Sequence, residues 1–149
     1  DAGNKGFEAL AWDARSRSLM LGKERSPMGL FSLPFPGDDG AAGVMQPFGD
    51  GNLGMRDISS LSIDARTGHA LVLSDESRML LEIDRAGRPV SFLSLLGGLN
   101  GLDSGIQQAE GVAMTSRATS TSLPSPICST SSARYKRMPV EQGGGFRLA

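Results

Sequence analysis

The chain has 149 residues with 15 basic and 16 acidic side chains, so its formal net charge of −1 favours neither nucleic acid nor an anionic membrane surface. The single cysteine, Cys128, excludes an internal disulfide framework and a thiolate zinc site. Twenty glycines, eight prolines and few aromatic residues are typical of a turn-rich all-β protein. The sequence contains no apolar run of about 18 residues, the length that predicts a membrane-spanning segment.

The N-terminal part of the chain predicts a hairpin, a third strand and a loop. Residues 6–13 and 18–24 are apolar runs separated by a turn, and residues 29–33 predict the third strand. The proline- and glycine-rich stretch at 34–40 predicts a loop. We interpret the Gly-Asp-Gly-Asn sequence at 49–52 as a turn, because it lacks the alternating oxygen ligands and final Glu of a helix-loop-helix calcium site.

The stretch from Asp57 to Asp84 and the run after it predict four short strands joined by tight turns, which is a β-meander. The predicted strands cover residues 58–63, 70–73, 79–83 and 90–95. In this meander we interpret Asp64, like Asp13 in the first hairpin, as a turn former that accepts backbone N–H groups.

An internal repeat relates these segments. Asp13-Ala14-Arg15 aligns with Asp64-Ala65-Arg66, and a third copy begins at residues 109–114. Trp12, Ile63 and Met114 therefore occupy one position at intervals of 51 residues (63 − 12 and 114 − 63). Four strands per unit and a period near 50 are typical of propeller blades. The sequence predicts an all-β propeller fragment of two four-stranded blades and the start of a third.

The repeat pattern stops after Met114. Residues 115–149 are rich in Ser, Thr, Pro and Gly without alternation, which taken literally predicts a disordered, linker-like tail. A frameshift near codon 115 fits the repeat better. Codons can be chosen so that one inserted base after the Met114 codon yields DEQGNIYLASEP, which restores the turn and the acidic residue in register. On this hypothesis residues 4–114 are the partial propeller and the tail carries no evolved function.

Acidic residues recur at the strand ends of the repeat. Because the start of one antiparallel strand lies beside the end of the next, we expect Glu8 beside Glu24 and Ser59 beside Glu76, with Glu110 equivalent to Glu8. In blades around one axis these positions would gather at one end of the channel, where repelling carboxylates favour a hard divalent cation. The predicted calcium ligands are Glu8, Glu24, Ser59, Glu76 and Glu110. The alternative is solvated carboxylates paired with Lys23, Arg25 or Arg78.

Catalytic signals are weak. His69 follows a glycine in a turn, with no partner nucleophile nearby, and we interpret it as an exposed turn residue. Without a Gly-x-Ser-x-Gly elbow, a serine hydrolase has almost no support. Phe7 and Trp12 are predicted to pack in the core rather than to form a ligand platform.

Three motifs in order resemble the SdiA-regulated, YjiK-like family. They are residues 4–13, residues 57–62 with 66–69 and 73–77, and residues 108–113. The resemblance covers residues 4–114 and implies a five-bladed β-propeller similar to NHL-repeat propellers, a bound calcium ion and no established biochemical activity. It also implies an export or membrane-anchor signal upstream, and hence a periplasmic or membrane-anchored extracytoplasmic location. Two blades and a fragment cannot close such a ring, which leaves exposed edges.

The leading functional hypothesis is a non-enzymatic, calcium-binding propeller fragment that binds an unknown protein or small-molecule ligand, with no nucleic-acid partner. The first alternative is a metal-dependent phosphoesterase-like or lactonase-like hydrolase, which would need a general base beside the metal. The second alternative is a nonfunctional truncated product.

Overall fold

The computed structural model describes residues 6–24, 27–37, 40–114 and 127–128. All the regular structure in these ranges is β-strand, which confirms the all-β prediction. No helix that could span a membrane occurs among the residues described. The strands are β1 (Phe7–Asp13), β2 (Ser18–Lys23), β3 (Gly29–Pro34), β4 (Gln46–Phe48), β5 (Ser60–Ile63), β6 (Ala70–Ser74), β7 (Met79–Ile83), β8 (Pro89–Ser94), β9 (Val112–Ala113) and β10 (Ile127–Cys128).

Two four-stranded antiparallel sheets follow each other along the chain. Blade 1 has the order β1-β2-β3-β4 and blade 2 the order β5-β6-β7-β8, so each is a simple meander. This arrangement confirms the two predicted four-stranded units. Sequence analysis missed β4, because its three residues include Pro47 at the sheet edge, where a missing N–H is tolerated but the strand pattern is broken.

The first turn of each blade is built by an aspartate, as predicted. The Asp13 carboxylate accepts a hydrogen bond from the Arg15 backbone N–H at 3.0 Å, and Asp64 accepts the equivalent bond from Arg66 at 2.9 Å. In blade 2 the turn closes at Gly68, whose φ of 75° lies in the left-handed region that glycine adopts without strain. The repeated sequence thus produces a repeated local structure.

The main core lies between the two blades. From blade 1 it contains Ala9, Met20 and Leu30, and from blade 2 it contains alternate residues of β6 and β7, such as Val72 and Ile83, both fully buried. Burial of each such Val or Ile side chain contributes roughly 1.5–3 kcal/mol. A second cluster lies on the reverse face of blade 2. Its members are Leu71, Leu73, Leu80, Leu95, Ile106, Ala109 and Val112.

The prediction that Phe7 and Trp12 are core residues is wrong. Their exposed fractions are 45% and 46%, and Phe7 contacts Phe31 edge-to-face with 5.7 Å between ring centroids. On β1 the alternate residue Ala9 is buried against blade 2, so Trp12, an odd number of positions away, lies on the opposite face. Alternation separates the two faces of a strand, but only the packing of the blades decides which face is covered.

The third repeat unit begins with β9, which lies against β5. The backbone N–H groups of Val112 and Met114 donate to the Ser60 and Ser62 hydroxyls, both at 3.3 Å. On its other side β9 pairs with β10 in antiparallel register, with Ile127 opposite Ala113. This strand falls within the stretch predicted to lack regular structure. The rest of the predicted tail lies outside the described residues.

Candidate functional site

The first strands of the repeat units run side by side in the same direction. β1 neighbours β5, and β5 neighbours β9. The turn after β1 touches the turn after β5, because the Arg15 guanidinium donates to the carbonyls of Ala65 at 3.2 Å and Arg66 at 2.6 Å. Because the turns that follow β1 and β5 meet, the starts of these two strands lie together at the opposite end of the blades. We define this end, where Glu8, Ser59 and Glu110 begin the three units, as the strand-start end.

The strand-start end of blade 2 is organised by Asp57, a carboxylate that is only 5% exposed. One oxygen accepts hydrogen bonds from the Ser74 hydroxyl and from the Glu76 backbone N–H, the latter at 3.1 Å. The other oxygen accepts from the Ser59 hydroxyl at 2.9 Å. Ser59 in turn accepts the Asp75 backbone N–H at 3.0 Å. Asp57 therefore joins the start of β5 to the β6–β7 turn.

The same turn also holds the third unit. The Asp75 carboxylate accepts the backbone N–H of Ala109 at 2.9 Å, three residues before the start of β9. Ser77 donates its backbone N–H to the fully buried Ser74 hydroxyl at 3.0 Å and accepts that of Arg56 at 2.9 Å. Among the described residues, every buried side-chain nitrogen and oxygen has a hydrogen-bond partner. The network therefore consists of paired groups and holds three segments together.

Sequence analysis missed Asp57 as a site residue. The signal that points to it is an Asp-x-Ser pair directly before a strand, facing Ser-Asp-Glu-Ser at residues 74–77 across the hairpin. Short polar side chains on both sides of a strand end favour mutual capping of backbone groups. The assignment still required the strand register, which sequence spacing alone did not supply.

The structure places all five predicted ligands at or near strand ends. Glu8 lies in a bulge of β1 between the Phe7–Lys23 and Ala9–Gly22 pairs, whereas Glu24 follows the last paired residue of β2. Glu8, Glu76 and Glu110 are exposed, and both Glu24 and Glu76 have interaction partners. Ser59 aligns with Ser74, because Ser60 pairs with Leu73, and its hydroxyl accepts the N–H of Asp75 in the turn that carries Glu76.

The described residues do not form a complete metal site. They contain no group of three or more His, Cys, Asp or Glu side chains placed to hold a metal ion. A calcium ion takes six to eight oxygen ligands, whereas the Ser59 hydroxyl already makes two hydrogen bonds within the Asp57 network. The strand-start end offers the exposed carboxylates of Glu8 and Glu110, and calcium binding there stays a prediction.

His69 is not the exposed turn residue that was predicted. Its side chain is 27% exposed, and its Nδ1 atom lies 2.7 Å from a carboxylate oxygen of Glu82. The second Glu82 oxygen accepts the Ser91 hydroxyl at 2.6 Å. His69 lies in the turn before β6, Glu82 in β7 and Ser91 in β8, so their contact depends on the sheet register. They lie at the opposite end of blade 2 from Ser59.

A groove of about 330 Å³ opens on the reverse face of blade 2. Most of its surface is apolar, and its polar lining includes Arg66, Thr67 and Glu82. The full lining is Asp64, Arg66, Thr67, Leu71, Leu80, Glu82, Ser91, Phe92, Leu93 and Met114. Met114 follows β9 directly, so the groove borders the third repeat unit.

Comparison with known protein families identifies one family for this chain. The model of the SdiA-regulated family matches residues 1–119, a range that includes both blades and β9. This match confirms the resemblance predicted over residues 4–114 and extends it a few residues at each end. With four-fifths of its length matched, the chain belongs to the SdiA-regulated family.

Proposed function

We propose that this chain is a non-enzymatic binding protein of the extracytoplasmic space, whose calcium and ligand site is the strand-start end. The observation that supports the proposal is the parallel arrangement of β1, β5 and β9, which brings exposed Glu8 of the first unit and Glu110 of the third to the same end, on either side of the second unit. Binding sites in such architectures lie in loops and strand ends held by a rigid sheet. The ligand is a protein or a small molecule.

The geometry around His69 favours binding over hydrolysis. A metal-dependent hydrolase needs a general base beside its metal. His69 is the one histidine of the sequence, and it is paired with Glu82 at the end of blade 2 that is remote from Ser59. The extracytoplasmic location is supported by the family resemblance.

Calcium titration of the full chain, followed by thermal unfolding, tests the proposal. We expect calcium to raise the midpoint temperature of unfolding. A ligand that binds only the native state stabilises that state by about 2.7 kcal/mol when its free concentration is one hundred times its Kd. Magnesium should act more weakly, since it tolerates only near-octahedral geometry.

Substitutions then assign the ligands. Glu8→Gln and Glu110→Gln should each reduce the calcium-induced shift, while Asp103→Asn, an exposed loop carboxylate, should leave it unchanged. Equal shifts in all three variants would remove Glu8 and Glu110 from the site. The absence of any shift in the unsubstituted chain would refute calcium binding.

A further inference from the structure

A small pocket of about 110 Å³ lies between the two blades, at the end opposite the strand-start end. Blade 1 supplies part of the β1–β2 turn and of the face that packs against blade 2, and blade 2 supplies residues of two turns. The polar and turn residues of the lining are Asp13, Ser16, Ser18 and Ser32 from blade 1 and Gly68 and Arg85 from blade 2. The pocket has room for about four water molecules at roughly 30 Å³ each, and hence for a molecule of only a few non-hydrogen atoms.

The pocket is open because blade 1 has small residues where blade 2 has larger ones. Ser18 precedes His69 by one repeat of 51 residues (69 − 18). By strand register Ser32 corresponds to Glu82, since each lies opposite the residue two positions after Ser18 or His69 in the adjacent strand. In blade 2, His69 Nδ1 and a Glu82 carboxylate oxygen are 2.7 Å apart. Serine side chains in the same places are shorter and leave volume between the blades.

The anionic group of the pocket is Asp13. Its carboxylate accepts the Arg15 backbone N–H at 3.0 Å and the Ser16 hydroxyl at 2.7 Å, both of them neutral donors. The equivalent carboxylate of blade 2, Asp64, also pairs with the Arg66 guanidinium, whereas the Arg15 guanidinium donates to backbone carbonyls instead. Among the described residues, Asp13 therefore has no cationic partner.

The cationic group of the pocket is Arg85. A Cβ atom added at Gly68 would lie 3.2 Å from the Arg85 Cδ atom, so the glycine leaves space for the Arg85 side chain to lie over the β5–β6 turn. The described residues contain no ion-pair partner for Arg85, whereas Arg88 in the same turn pairs with Asp84 at 2.7 Å. A guanidinium favours a carboxylate ligand, which it can bind through two N–H groups.

We propose that this inter-blade pocket binds a small zwitterion, an α-amino acid with a side chain no larger than that of alanine. The ligand carboxylate pairs with Arg85, its ammonium group pairs with Asp13, and the hydroxyls of buried Ser18 and of Ser32 supply further hydrogen bonds. A ligand with both charges satisfies both groups at once, whereas a simple anion or cation leaves one of them unpaired. The pocket is separate from the strand-start end, and its ligand does not depend on calcium.

The probe is L-alanine, titrated into the ¹⁵N-labelled full 149-residue chain in the presence of a calcium chelator, with amide NMR shifts as the readout. Acetate and ethylamine are the comparison ligands, because each carries one of the two charges. We expect saturable binding of L-alanine and at least tenfold weaker binding of the other two. The absence of saturable L-alanine binding would overturn the proposal. If acetate binds as tightly as L-alanine, the pocket is an anion site and the assignment to a zwitterion fails.

Substitutions in the β7–β8 turn locate the ligand. Arg85→Gln removes the cation at an exposed position and should weaken L-alanine at least tenfold, whereas Arg85→Lys keeps the charge and should retain most of the affinity. The matched control is Arg88→Gln, which changes an arginine of the same turn outside the pocket and should alter the affinity less than twofold. Equal affinities for Arg85→Gln and Arg88→Gln would place the ligand elsewhere.

A gain in affinity guards against loss of folding as the explanation. Asp13→Asn keeps a side-chain oxygen for the β1–β2 turn but removes the negative charge. It should weaken L-alanine at least tenfold and tighten acetate several-fold, because the carboxylate that repels an anion is gone, and unfolding cannot produce such a gain. If Asp13→Asn weakens both ligands equally, Asp13 does not recognise the ammonium group and the proposal fails.

Discussion

At the scale of single residues, Asp57 has the largest structural role that sequence analysis did not find. Its carboxylate is buried and accepts hydrogen bonds from two hydroxyls and one backbone N–H. Removing one partner from a buried network leaves the others unsatisfied, which costs about 1–3 kcal/mol per group. The strand-start end of blade 2 thus depends on this carboxylate.

Asp57→Ala should lower the free energy of unfolding by roughly 1–3 kcal/mol, because the buried Ser74 hydroxyl loses its acceptor. Urea unfolding measures the change. The matched control is Asp50→Ala, which removes an exposed carboxylate that accepts one backbone N–H from Asn52. If the two substitutions have equal effects, the network is not a stabilising element.

The carboxylates of the hairpin turns make stability depend on pH. Hydrogen bonds from the Arg88 backbone and side chain, opposed by slight desolvation, lower the pKa of Asp84 to about 2 from its ordinary 3.8. For Asp64, burial raises the pKa, but the hydrogen bonds and charge of Arg66 outweigh it and leave the pKa below 3.8. A depressed pKa means that the native state favours the ionised form.

The stabilising effect of Asp84 should therefore be complete above pH 3.8 and should disappear as the pH falls towards 2, because protonation then removes the acceptor. Asp84→Asn should flatten the fall in unfolding free energy between these pH values, as measured by urea unfolding at several pH values. Arg88→Ala should flatten it similarly, and the double variant should add little, since the two residues act as one pair. An unchanged slope in Asp84→Asn would contradict the assignment.

At the scale of the elements, the fit between the blades depends on a small residue in β2. A Cβ atom added at Gly22 would lie 2.7 Å from the Ile58 Cγ2 atom and 3.1 Å from the Ala9 Cβ atom. Both neighbours belong to the main core, so neither can move without disturbing the packing of the two sheets. Glycine at this position permits the close approach of blade 2 to blade 1.

Gly22→Ala should destabilise the chain by about 1–3 kcal/mol through overpacking. Gly29→Ala is the matched control in the neighbouring strand, since its added Cβ would make only an ordinary contact, 3.7 Å from the Phe31 ring. Thermal unfolding compares the two variants. Similar midpoint temperatures would show that the blade interface adapts to the extra methyl group.

At the scale of the whole molecule, the face of blade 1 that points away from blade 2 is open in the described part of the chain. It carries Leu10, which is 60% exposed, and Trp12. The reverse face of blade 2 is partly covered by the segment that leads into β9. A repeat structure shares its core between neighbouring units, so two units leave outer faces that further units would cover.

The reading frame after Met114 decides how this architecture continues. The frameshift hypothesis predicts that sequencing the source DNA across codons 110 to 135 will reveal one additional base, after which the translation continues as DEQGN. Confirmation of the present frame would contradict the hypothesis and make residues 115–149 a genuine part of the product. The question would then be whether the two-blade chain unfolds cooperatively.

The sequence by itself determined seven of the eight strands of the two blades, the aspartate turns and the repeat of 51 residues, because these depend on alternation and on residues close together in the chain. It also indicated the family. The tertiary structure alone decided that Trp12 is exposed, that His69 pairs with Glu82 and that Asp57 is buried. Each of these outcomes depends on strand register or on which face a neighbouring blade covers, and both are set by contacts between residues distant in sequence, which no local pattern encodes.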